Sequence, residues 1–228
     1  AWAARQPAEN PGTVSTYLAL TYGWYLGHVL ENVFGKSIKD VLDEQVLIPA
    51  GIARDFFFAI GPGQDSRMVT VYNGTEPWSF EEMNNTAFRR AVNPACWGAS
   101  SARGIAKFYN RLCGFDGQRP LLKRETLLEA LRVNRWKGEP VTSVVNDEWI
   151  MVWGMGYALW GEDCNLQRVF GQGGLGGSEG MCDREKRMCI GYTCNISSNY
   201  DGYNKLTPEL FAIVGFKTRY QHERRARP

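Results

Sequence analysis

The run Phe170-Gly171-Gln172-Gly173-Gly174-Leu175-Gly176-Gly177-Ser178 constrains this chain more than any other segment. Five glycines in nine residues exclude a stable helix, since each costs about 1 kcal/mol against alanine in a helix interior. The stretches on either side, Gln167 to Phe170 and Ser178 to Asp183, are short, strand-like and bounded by turn residues. Glycine within a strand marks a bulge, a tight bend, or a place where a ligand or another backbone comes close. The segment therefore predicts two strands joined at a bend of nearly bare backbone.

Around it the sequence divides into helices first and strands later. Leu18, Tyr22, Tyr25, Leu26, Val29 and Val33 recur at helical spacing and predict a helix over 17–34 with one apolar face, ended by Gly35. Ser37-Ile38-Lys39-Asp40 is a capping-box signature for a short helix that Pro49 stops, and Ser79-Phe80-Glu81-Glu82 is a second. Met68 to Tyr72 suggests a strand. Ser101 caps a helix over 102–112 that carries Ile105, Phe108, Tyr109 and Leu112 inward, and a further helix spans 121–133. From Trp149 the period changes, giving strands at 155–160, 167–170, 178–183 and 188–195, then a closing helix over 208–216. This is an α+β layout: a mainly helical region (17–133), antiparallel strands (149–195), a terminal helix (207–216) and a basic tail (217–228). A meander of about four strands leaves an edge that native proteins cover, so strands N-terminal to this chain are expected to complete the sheet.

Composition narrows the function. The 228 residues, 44% hydrophobic, suit one domain or a large part of one. With 26 basic and 24 acidic residues there is no global field to recruit nucleic acid or an acidic membrane. No apolar run reaches the roughly 18 residues that span a bilayer. Two histidines and the absence of a C-x-x-C pair argue against a zinc site. Cys182 and Cys189 flank the turn at 183–187 and face each other across a hairpin, either as buried free thiols or as a bridge. Sequons at Asn73, Asn84 and Asn195 tilt the compartment toward the secretory route.

Two other motifs share the glycine run. Gly171 to Gly176 reads G-x-G-x-x-G, but a dinucleotide site needs a following helix and an acid about 20 residues on, and the sequence offers another strand instead. Gly176-Gly177-Ser178-Glu179-Gly180 reads G-x-S-x-G, with Asp183, Asp201 and His222 downstream in the order an α/β-hydrolase esterase using Ser178 would need. That elbow also demands a helix after the serine, and none is predicted.

The ordered set Pro11-Gly12-Thr13, Tyr17-Leu18-Ala19-Leu20-Thr21-Tyr22-Gly23-Trp24, Phe34-Gly35-Lys36-Ser37-Ile38, Ile48 to Ile52, Ala99 to Tyr109 and Phe170 to Ser178 resembles the serine β-lactamase-like superfamily. That group includes class C β-lactamases, D-alanyl-D-alanine peptidases, family VIII-type esterases and animal β-lactamase-like proteins. The resemblance implies a β-lactamase/transpeptidase-like fold whose N-terminal strands are missing here. It implies acylation of a serine in a Ser-x-x-Lys motif, which this sequence lacks. Tyr17 matches the family's tyrosine, the expected general base. A phenol with a pKa near about 10 fills that role at neutral pH only beside a cation. Gln172, Gly173 and Gly174 match the family's third motif and would line the substrate strand. The N–H of Leu175 would be one oxyanion donor.

Two departures bear on substrate. Ala19 replaces the family's asparagine, and Gln172 replaces a cation that would steer a substrate carboxylate. Both favour a small ester or amide over a β-lactam. No metal or organic cofactor is implied, and self-association is left open. A non-catalytic interaction module that keeps the fold for its surface is the alternative. Without the family match, Tyr17 reads as an interfacial aromatic, Gln172 as an edge-strand polar group, and the glycines as a bend.

Overall fold

The structure, a computed structural model, describes residues 18, 20–73, 81–136, 139–140, 142–145, 149–161, 165–174, 176–197 and 207–216. Its helices are α1 (Thr21–Phe34), α2 (Ile38–Leu42), α3 (Thr86–Arg90), α4 (Ala102–Cys113), α5 (Arg124–Ala130) and α6 (Thr207–Val214). Short strands β1 (Phe56–Phe57), β2 (Tyr72–Asn73), β3 (Ala99–Ser100), β4 (Arg135–Trp136) and β5 (Glu139–Pro140) lie outside the main sheet, as does the last strand, β12 (Ile196–Ser197). That sheet is an antiparallel meander of six strands: β6 (Thr142–Val145), β7 (Trp149–Trp153), β8 (Ala158–Leu159), β9 (Val169–Gly173), β10 (Glu179–Asp183) and β11 (Met188–Tyr192). It exceeds the expected four because Thr142–Val145 adds a strand and β7 is a strand of its own. The strand expected over 155–160 shrinks to β8, since Gly156 takes a left-handed φ of 82° and turns the chain.

Helices pack on both faces of the sheet. Strand alternation sends Phe170 and Cys182 to one side, where they meet Tyr109 and Leu112 of α4 and Leu127 of α5, with Leu131 beyond it. Val169 and Met181 point the other way, against Phe211 and Phe216 of the terminal segment. Phe170, Val169, Met181, Leu131 and Phe211 are fully buried, and each such side chain stabilises the fold by about 1.5–3 kcal/mol. Helix α4 lies directly on the sheet because Gly180 and Gly191, paired across β10 and β11, carry no side chain beneath it. A Cβ on Gly180 would collide with Ile105 and Tyr109, and one on Gly191 with the Ala102 carbonyl. Ser101 caps α4 by accepting from Gly104 N at 3.1 Å, and Gly114 closes it in the left-handed conformation.

Helix α1 forms where the spacing predicts, and Gly35 ends it at φ 63°. Its contacts run opposite to the apolar pattern. The buried positions are Gly23 and Gly27, one turn apart, where Gly23 sits against Asn93 and Ala95 with no room for a Cβ. Leu18, Tyr22, Tyr25, Leu26, Val29 and Val33, the expected apolar face, are all exposed, Val33 to 72%. The helix expected to run on from Ser37 is capped as read, Ser37 Oγ accepting from Asp40 N at 3.2 Å, and then widens to a π-helical turn at Asp43–Leu47. The helix over 121–133 is confined to α5, because Leu121 and Leu122 sit against the core instead. The second capping box begins at Ser79 and Phe80, outside the described residues; Asn85 caps the short α3 that follows.

Candidate active site

Gln172 and Gly173 end β9, and Gly174 follows directly. On one side β9 is fully paired, Gln172 with Gly180 and Gly173 with Glu179. On the other, β8 matches only Phe170 and Gly171. The ladder therefore stops before Gln172, so the backbone of 172–173 lies beyond its partner strand. Gln172 shares the face of Phe170, toward the helical layer. Its Nε2 donates to its neighbour Gly173 O at 3.1 Å, while its buried Oε1 has no hydrogen-bond partner among the described residues. Such an acceptor costs about 1–3 kcal/mol if nothing donates to it.

The bend beyond is held by backbone. Gly174 N donates to Ser178 O at 2.8 Å, Gly177 N donates to Gly174 O at 2.9 Å, and Gly177 takes φ 89°. Ser178 Oγ accepts from Cys194 N at 3.1 Å, and Cys194 Sγ donates to Gly176 O at 3.0 Å. The Ser178 hydroxyl thus ties the bend to the segment after β11. A strand, β10, follows it, so neither the nucleophile elbow nor the dinucleotide motif has its helix. Glu179, a variable position of the G-x-S-x-G match, stands opposite Gly173 and is nearly fully buried; Cys194 lies in the stretch Gly191 to Asn195, which also resembles the family's active-site hairpin. Burial raises the pKa of the nearby Tyr192 phenol, with Cys194 and Glu179 adding to the effect.

Tyr17 and Leu175 lie outside the described residues, so no geometry joins them to Gln172. What is described is the anchor next to Tyr17. Asn93 is completely buried, its Nδ2 donating to Leu20 O at 3.0 Å and its Oδ1 accepting from Ala95 N at 3.1 Å. This fixes the first turn of α1, three residues past the tyrosine. Asn93 carried no motif signal; only its fold-wide separation from Leu20 reveals it.

The sequon asparagines Asn84 and Asn195 hold the backbone at residues 70–71. Asn84 brackets Val71 with a 2.8 Å bond to each of its N and O, and Asn195 Nδ2 donates to Thr70 O at 3.0 Å. Cys182 and Cys189 do stand opposite each other in the hairpin register, and both are free thiols. No helix among the described residues is long and apolar enough to cross a membrane.

A helix-flanked antiparallel sheet whose inner strand ends in a glycine-rich bend is the frame of the serine β-lactamase-like hydrolases. The chain belongs to the β-lactamase family, whose model matches residues 1–213. Among solved structures it is similar to a family VIII carboxylesterase, at 25% identity and a TM-score of 0.68 over 83% of this chain and 55% of that one. It is also similar to a penicillin-binding protein homologue from Caulobacter crescentus (20% identity, TM-score 0.64, 82% of this chain and 54% of that one). The third is EstA from Arthrobacter nitroguajacolicus Rue61a (19%, 0.64, 84% and 57%). The latter two likenesses show the fold alone. The chain spans little more than half the length of these structures. No curated protein matches it.

Proposed function

We propose that residues 1–228 form one partial domain, the C-terminal part of a serine hydrolase that opens a small ester or amide through an acyl-serine. In this reading Tyr17 is the general base, Gln172, Gly173 and Gly174 flank the substrate, and the Leu175 N–H donates to the oxyanion. The nucleophile and its lysine come from outside this sequence, which holds no Ser-x-x-Lys. One observation carries the proposal: the pairing of β8 with β9 stops at Gly171, and the β9 backbone at Gln172 and Gly173 extends beyond it. An extended edge of that kind pairs with a substrate's own amide or ester group. The neutral Gln172 at a position where a cation would meet a carboxylate supports an ester over a β-lactam. The uncovered α1 face and the edge strand β11 support the same reading, as the surfaces on which upstream strands and helices would pack.

The test is to assay the chain alone, and the chain extended by its upstream reading frame, with nitrocefin and p-nitrophenyl esters. Ester turnover confined to an extended product that carries Ser-x-x-Lys supports the proposal. Turnover by the chain alone, lost on Ser178→Ala, overturns it. An extended product with no Ser-x-x-Lys and no turnover favours the non-catalytic module, which the missing nucleophile and the exposed α1 face also support.

A further inference from the structure

Beneath the last turn of α4 lie three thiols that the hydrolase reading does not use. Cys113 ends the helix, and its sulfur stands 3.5 Å from that of Cys182, at the middle of the sheet. Cys189 pairs with Cys182 across the hairpin and packs against the same core cluster. Cys182 is completely buried, while Cys113 and Cys189 are partly exposed.

We propose that Cys113 and Cys182 form an oxidation site, a dithiol that closes into a disulfide by exchange with a low-molecular-weight disulfide such as oxidised glutathione. The two sulfurs touch already, from positions 69 residues apart in sequence, so closure needs only a small approach. The division of labour follows from the surroundings. Cys113 is the accessible member, and the hydrogen bond from the Cys182 thiol lowers its pKa, with the Arg184 guanidinium helping. Its thiolate attacks the incoming disulfide, forming a mixed disulfide and expelling one reduced thiol. Cys182 then loses its proton and attacks the Cys113 sulfur, expelling the second. Two protein thiols give up two electrons and two protons, and one glutathione disulfide becomes two glutathiones. Hydrogen bonding to Cys113 and Cys189, together with burial, raises the Cys182 pKa and keeps it from reacting first.

The bond would rivet the helical layer to the sheet where Arg187 already holds it, through a 3.3 Å bond to Phe115 O and a stacking contact on the Phe115 ring. Because closure spans a long loop, it would restrict the unfolded chain strongly. This inference is independent of the catalytic proposal.

To test it, the folded chain is equilibrated in glutathione redox buffers, quenched with N-ethylmaleimide and digested for mass spectrometry. A Cys113–Cys182 linked peptide is expected, surviving in Cys189→Ser and lost in Cys113→Ser. Its urea midpoint should rise on oxidation and return with dithiothreitol. A Cys182–Cys189 bridge, three alkylated thiols under oxidising buffer, or a link formed only in urea would each overturn the proposal.

Discussion

Gly180 and Gly191 stand directly opposite each other on β10 and β11, and α4 rests on both. Two absent side chains set how closely the helical layer approaches the sheet. The Cys113–Cys182 contact and the burial of Tyr109 beside Phe170 both depend on that approach.

Gly191→Ala is therefore expected to lift α4. Its new methyl group would meet the Ala102 carbonyl, the Ala106 amide and the Ile105 side chain, two of which are helix backbone that cannot rotate away. A loss of about 1–3 kcal/mol is expected, the usual cost of overpacking. Urea unfolding reads it, with Gly63→Ala, which meets nothing within 4 Å, as the silent control.

Asp183 is fully buried and accepts from Arg168 Nη2 at 2.9 Å and from the amides of Glu185 and Lys186 at 3.0 Å each. It shapes the turn into β11 as well as pairing a charge. Asp183→Ala should cost about 3 kcal/mol, leaving the mostly buried Arg168 to its more exposed partner Glu185 at 2.9 Å and releasing the two turn amides. Thermal unfolding tests this, and Asp183→Asn should recover part of the loss.

Asp55 gives a pH signature. Its side chain is buried, and hydrogen bonding from Arg103 at 2.7 Å, with charge from Arg103 and Lys107, depresses its pKa below the ordinary 3.8. A depressed carboxylate contributes stability at pH values above its unfolded pKa, and this is lost as pH falls through the folded value. Arg103→Ala should thus destabilise the chain slightly near pH 7, the arginine being largely exposed and screened by solvent. The difference from wild type should vanish in strong acid, as circular dichroism at graded pH would reveal.

If Tyr17 is the general base of the proposed reaction, Tyr17→Phe in a complete domain carrying the serine should lower kcat by about 10²- to 10⁴-fold, the range for loss of a general base. Steady-state hydrolysis of p-nitrophenyl esters measures it. Unchanged turnover would remove Tyr17 from the mechanism.

The apolar surface of α1 predicts self-association of the chain on its own. Val33→Glu, at a position 72% exposed, should shift it toward monomer without lowering thermal stability. Analytical ultracentrifugation across a concentration series checks this.

Local chemistry was legible where it acts locally. Ser101 and Gly114 bracket α4 as read, Gly35 ends α1, and the glycine run gives the strand, bend and strand expected of it. The period of α1 was equally plain, but periodicity cannot say what lies against an apolar face, and here Gly23 and Gly27 make the contact. The strand expected over 68–72 reduces to Tyr72–Asn73, whose parallel partner is Ile196–Ser197, more than a hundred residues away. Asn93 was missed for the same reason: its partner Leu20 is 73 positions off. The pattern predicts a strand over 167–170 and a glycine bend after it, and only the family resemblance puts Gln172 to Gly174 on that strand; β9 in fact runs on to Gly173, while the shortness of β8, which ends its pairing at Gly171, follows the left-handed Gly156 and has no motif.

That shortness sets a rule for visitors. On the proposed reading, a guest alongside β9 meets about two residues' length of backbone past the end of β8, room for one stretched linkage and not for a long strand.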